Sequence, residues 1–173
     1  MTSIGKLSTI KTSWMLLGFS ALAFELAALY FQYQLELWPC IMCVYQRVAM
    51  MGVMFAGFIT AVAPNIALVR LLGFSLWGVS AVWGLLIAIE HVQIQTNTDP
   101  FAFSACERVP NLPDWFALHQ WFPAIFEAGG DCNGVDWQFL GLSMPMWMVV
   151  AFAAYSLAFL VVLCARVIKE KSI

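Results

Sequence analysis

Four apolar stretches, each about 20 residues long, constrain this chain more than anything else in it. They fall at about 14–33, 41–62, 67–89 and 145–165. A hydrocarbon core is crossed by about 20 apolar residues in a helix. Inside it every backbone polar group must find its partner within the same segment, so such stretches can only be helices. Composition agrees: 62% of the 173 residues are hydrophobic and only 10% are charged, against about 45–50% and about 25% in soluble domains. The expected fold is an all-α membrane protein, a four-transmembrane-helix bundle forming one integral membrane domain over 1–173. The first stretch follows Lys6 and Lys11 as a signal peptide would. It is too long for an apolar signal core of about 7–15 residues and is read as a retained span. The chain has no basic patch, which excludes nucleic-acid binding.

The basic residues fix an orientation. Lys6 and Lys11 precede the first span, Arg70 lies at the Pro64-Asn65 turn, and Arg166, Lys169 and Lys171 follow the last. With four spans, all of these fall on one side. The segment of about 90–144 carries Arg108 as its one basic residue, against Glu90, Asp99, Glu107, Asp114, Glu127, Asp131 and Asp136. Lys and Arg mark the cytoplasmic side, so both termini are expected in the cytoplasm and the long loop outside it.

That topology sorts the five cysteines. Cys40 and Cys43 lie at the outer start of the second span, and Cys106 and Cys132 in the outer loop. Cys164, near the inner end of the last span, reads as a small apolar residue packed in a helix. The outer four lie where disulfides persist, if the membrane is a bacterial inner membrane. A bridge between Cys106 and Cys132 is either a staple, worth roughly 3–4 kcal/mol for a loop of this length, or an exchanging disulfide. The loop's Pro100, Pro110, Pro113, Pro123 and Gly129-Gly130 favour exchange. Cys40-x-x-Cys43 alone fits zinc as well as redox chemistry. On a helix, positions 40, 43 and 47 share a face, so both thiols face the same way as Arg47. Pro39 suits the first helical turn, and the helix dipole favours a thiolate at Cys40. Arg47 is either a cation reaching outward toward water or a functional charge within a span. Met50, Met51 and Met54 continue its face into the bundle core. Zinc on all four cysteines is the alternative chemistry. It is opposed by the wide spacing of the second pair.

Three further residues bear on function. Glu25 sits mid-span, as a polar contact between helices or a proton relay to a reduced carrier. His91 follows Glu90 at the outer end of the third span, level with Cys40; it is an interfacial histidine or a hydrogen-bond donor beside a carrier head group. His119 lies in the aromatic run from Trp115 to Phe122, which with Phe126 reads as a short interfacial helix, and is given no catalytic role.

Together these residues resemble the DsbB family of bacterial inner-membrane disulfide-bond formation proteins. The matching features are Pro39-Cys40-x-x-Cys43-x-Tyr45-x-Arg47, Glu90-His91, Pro100-Phe101, Cys106 and Gly130-Asp131-Cys132. Trp137-x-Phe139-Leu140-Gly141-Leu142-x-Met144-Pro145 completes the set, and the resemblance covers essentially the whole chain. It implies a quinone-dependent protein-dithiol oxidoreductase of the inner membrane, with its redox cysteines on the periplasmic side. Reduced DsbA, a periplasmic thiol oxidase, would attack a Cys106–Cys132 disulfide and form a mixed disulfide with Cys106. Cys132 would pass the reducing equivalents to Cys40, and Cys43 would contact a quinone (ubiquinone or menaquinone) held by Arg47 and His91. Cys164 has no part in it. The competing readings are a DsbI-like paralogue with a dedicated partner, and a non-enzymatic membrane scaffold with structural disulfides or zinc.

Overall fold

The structure, a computed structural model, describes residues 4–96 and 117–170. Its frame is four long helices: α1 (Lys11–Gln34), α2 (Ile41–Val62), α3 (Ala67–Thr96) and α6 (Met144–Glu170). All four are long and apolar enough to cross a membrane, and they form the expected bundle. A 3-10 helix over Ile4–Thr9 precedes α1. Among the described residues between α3 and α6 are two single-turn helices, α4 (Leu118–Trp121) and α5 (Pro123–Phe126), and a hairpin of β1 (Gln138–Phe139) and β2 (Leu142–Ser143).

In lipid, helices gain little by burying apolar surface against one another, so close backbone approach decides which faces meet. α1 and α2 touch at Gly18 and Gly57, where a Cβ on Gly57 would press on the Gly18 backbone and lie 2.8 Å from the Trp14 carbonyl oxygen. Gly73 of α3 makes room for Thr60 of α2, and Gly84 of α3 for Phe152 of α6. Trp14, Phe74, Trp77 and Phe159 fill one end of the bundle with edge-on and stacked rings. At that end Arg166 Nη1 donates to Ser8 Oγ (2.7 Å) and Trp14 Nε1 to the Ser8 carbonyl (2.8 Å), tying the 3-10 helix to α6 and α1. Of the three methionines expected in the core, Met50 is buried, while Met51 and Met54 are half-buried.

α2 has the bounds expected of it. α3 does not stop near residue 89 but runs to Thr96. The apolar run ends at Glu90, yet His91-Val92-Gln93-Ile94-Gln95 carries no helix breaker, so the helix continues as its hydropathy falls. Cys164 is free and exposed on α6 rather than packed within the bundle. At the far end of α1, Glu36 takes a left-handed φ of 56° and the Leu37 N–H returns to the Phe31 carbonyl. This stops the helix and turns the chain into Trp38-Pro39-Cys40.

Candidate active site

Cys40 is the N-cap of α2. Its backbone is extended, and its Sγ accepts a hydrogen bond from the Cys43 N–H at 3.3 Å. Pro39 therefore stands just outside the helix, not in its first turn. Sγ of Cys40 and Sγ of Cys43 lie 2.8 Å apart, one thiol donating to the other, and both cysteines are free. That hydrogen bond, and then burial, push the Cys40 thiol up. The amide at its sulfur acts the other way and is outweighed. The hydrogen bond and burial thus both act against the thiolate expected at Cys40.

The loop is docked onto this cap by backbone. The Gly129 and Gly130 N–H groups both donate to the Pro39 carbonyl at 3.0 Å, and a Cβ on Gly130 would collide with the Trp38 carbonyl. Two residues on, Cys132 is fully buried and disulfide-bonded. Its sulfur, the Cys40 sulfur and a His91 ring nitrogen all lie within 4.8 Å of one another. Cys106, the other loop cysteine singled out from the sequence, lies outside the described residues. The lower part of the loop is held as well: Gln95 Nε2 donates to the Gly134 carbonyl (2.8 Å) and Ser143 Oγ to Gln95 Oε1 (2.6 Å). The extra turns of α3 thus serve as an anchor for the segment after Cys132.

His91 is buried at the junction. Gln46 Nε2 lies 3.3 Å from Nδ1, and with that amide donating, the ring's proton sits on Nε2, 3.6 Å from Cys40 Sγ. The Cys132 backbone is a further partner. From the sequence His91 is an interfacial histidine or a donor beside a carrier head group; its ring lies beside Cys40 and Cys132, with an edge on the cleft described next. These donors make three of a zinc ligand set, but the disulfide at Cys132 withdraws one sulfur from it.

Arg47 lies one turn below Cys43 on the expected face. It is only 7% exposed and does not reach water. Nη1 donates to Gln32 Oε1 (2.7 Å) and to the Ile125 carbonyl (2.6 Å), and Nη2 donates to the Ala28 carbonyl (3.2 Å). Gln32 is 2% exposed and donates in turn to the Ala124 carbonyl at 3.1 Å, which also accepts from the Tyr33 hydroxyl. The guanidinium thus binds α1 to the short helix α5 of the loop. Sequence reasoning passed over Gln32 and Gln46; their one signal is an amide inside an apolar run.

A cleft opens beside these groups, lined by α1, by Cys40, Cys43 and Arg47 of α2, by His91, and by Met144 and Met148 of α6. Its cavity volume is about 120 Å³ with an open mouth, room for part of a small molecule rather than for all of a drug-sized one. Glu25 also lines it and is 5% exposed, and its Oε2 has no hydrogen-bond partner among the described residues. Asp131 and Asp136, both exposed, line the other end.

The bundle and its cysteine pair, capped by a disulfide-bearing loop, define a membrane-embedded thiol–disulfide protein. The family model described as "Disulfide bond formation protein DsbB" matches residues 10–162. Three proteins named "Disulfide bond formation protein B" are similar along their lengths. That of Psychromonas ingrahamii is 47% identical over 99% of this chain and 91% of its own. Those of Pseudoalteromonas translucida and Pseudoalteromonas atlantica are 47% and 49% identical over the whole of both chains. The chain belongs to the DsbB family, and its general role is that of a disulfide-forming oxidoreductase.

Proposed function

We propose that this protein oxidises a DsbA-like periplasmic dithiol protein and passes the electrons to a membrane quinone. The observation that carries the proposal is the placing of the Cys132 sulfur within 4.8 Å of Cys40, while Cys43 faces a membrane-level cleft. One sulfur of the pair meets the loop and the other meets the cleft. The basic residues support cytoplasmic termini, with the cysteine end of the bundle on the periplasmic side of the inner membrane.

The electrons move in pairs. The partner's two thiols become a disulfide as the Cys106–Cys132 disulfide is reduced, with Cys106 taking the mixed disulfide. Cys132, released as a thiolate, attacks Cys40 of a Cys40–Cys43 disulfide, and closure of Cys106 onto Cys132 leaves Cys40 and Cys43 reduced. His91 Nε2–H stands where it stabilises the charge that develops on Cys40 as the leaving sulfur.

A quinone fits the cleft by three features. Its walls are largely apolar, a buried cation lies at Cys43, and the cleft's Glu25 oxygen lacks a partner among the described residues. Arg47 and His91 would hold the head group, with Met144 and Met148 against it. Bound there, a quinone supplies a two-electron, two-proton acceptor. Arg47, kept from water by its carbonyl partners, stabilises a Cys43 thiolate in a medium where charges interact strongly. The deciding experiment mixes purified protein with a reduced DsbA-like protein and either ubiquinone or menaquinone. One quinol should form per partner dithiol lost. Partner oxidation without quinol, or neither, would set the proposal aside.

A further inference from the structure

Among the described residues, Glu25 is the one buried ionisable group of the cleft that the steps above leave without work. It lies on α1 one turn before Ala28, whose carbonyl takes a bond from Arg47, so its Cα stands about 4.5 Å along the helix axis from that of Ala28. It interacts electrostatically with the guanidinium. Even so, the Arg47 donors engage Gln32, Ile125 and Ala28, and the buried Glu25 Oε2 has no hydrogen-bond partner among the described residues. A polar oxygen buried without a partner is costly, and this one opens on the cleft beside Cys43 and Arg47.

We infer that Glu25 is the proton donor of the cleft, giving a proton to the acceptor reduced by Cys43 and recovering it from water at the mouth. The inference rests on the quinone reading above. Quinol formation consumes two electrons and two protons. The two electrons come from Cys40 and Cys43 as their sulfurs close into a disulfide. Cys40 releases one proton. The proton of Cys43 was lost when that sulfur became a thiolate, so the second must come from another group. Glu25 supplies it and is left as a carboxylate beside Arg47. The cleft runs from Glu25 to exposed Asp131 and Asp136, which gives water a route back to the carboxyl from the loop side.

The test uses the full chain and two readouts. In quinone-free protein carrying carbon-13 glutamate, infrared spectroscopy at neutral pH should show a protonated-carboxyl band that Glu25→Gln removes; absence of that band in the wild type overturns the inference. In single turnovers with a short-chain ubiquinone, Glu25→Gln should slow quinol formation about a hundredfold, as loss of a positioned acid does. Transfer from Cys132 to Cys40 should keep its wild-type rate. Glu25→Asp should restore part of the loss with a displaced pH profile. A Glu25→Gln protein as fast as wild type at every pH also overturns the inference. Should that variant fail to fold, a Glu25→Asp profile superimposable on wild type does the same. Failure of the wild type itself to reduce quinone would instead sink the parent reading, whatever the infrared band shows.

Discussion

Nε2 of His91 lies 3.6 Å from Sγ of Cys40, with Gln46 at the ring's other nitrogen. An imidazole is thereby aimed at the sulfur that must leave when Cys106 closes onto Cys132. A hydrogen bond to a charged group is worth about 1.5–3 kcal/mol. His91→Phe should therefore slow transfer between the cysteine pairs about ten- to a hundredfold, read by quenched alkylation and mass spectrometry. Gln46→Leu should cause a smaller loss in the same step, since it frees the tautomer without removing the ring. An unchanged transfer rate in both variants would return His91 to an interfacial role.

The proton of the Cys40–Cys43 pair gives a pH prediction. The bond to Cys43 and burial raise Cys40, so its thiolate appears only at higher pH. In the reduced protein, alkylation at neutral pH should modify Cys43 first, and Cys40 should react only as pH rises. Cys43→Ala removes the leading cause, so the midpoint for Cys40 should move to lower pH. A midpoint that stays put would show that access to the sulfur, not the bond, protects it.

Arg47 serves two surfaces at once. Arg47→Leu takes the donor from Gln32, Ile125 and Ala28 and removes the cation from the cleft. We expect the quinone KM to rise about tenfold or more, on the scale of one charged hydrogen bond, with a lower melting temperature as α5 loses its tie to α1. Arg47→Lys keeps the charge but lacks the planar fork, so it should recover part of the KM and little of the stability. A KM equal to wild type in Arg47→Leu would make the residue structural alone.

The loop's seat on the α2 cap depends on a missing side chain. Gly130→Ala drives a Cβ into the Trp38 carbonyl, and backbone cannot yield there as a side-chain tip could. Overpacking of this kind costs about 1–3 kcal/mol. The expected signature is slow Cys132-to-Cys40 transfer with a normal rate of Cys43 alkylation. Gly57→Val, which presses α2 on Gly18, should lower thermal stability without that selective loss. Equal effects of both on transfer would deny the loop seat a specific role.

The spans were legible because about 20 apolar residues in lipid admit one solution, and Ile41–Val62 falls where its composition places it. The shared face of Cys40, Cys43 and Arg47 followed from helical periodicity alone. Periodicity did not extend to what those side chains meet. Arg47 on an isolated helix would reach for water; Gln32 and the Ile125 carbonyl, distant in sequence, intercept it. The dipole argument for Cys40 treated one helix end and missed the sulfur of its own neighbour. Gly129-Gly130 read as loop chemistry, whereas their N–H groups serve to dock on Pro39. The Leu140-Gly141 turn, at φ of 52° and 78°, places a bulky residue where few are found, and no local pattern announced it.

Contact between the two cysteine systems is the centre of this account, and Cys43→Ser tests it most directly. With Cys43 absent, Cys40 has no partner in its own pair, and its sulfur should attack the disulfide at Cys132. Non-reducing peptide mapping of the purified variant should find Cys40 joined to Cys132 and Cys106 released as a thiol. Cys40 left free, or joined to Cys106 instead, would contradict the relay proposed here.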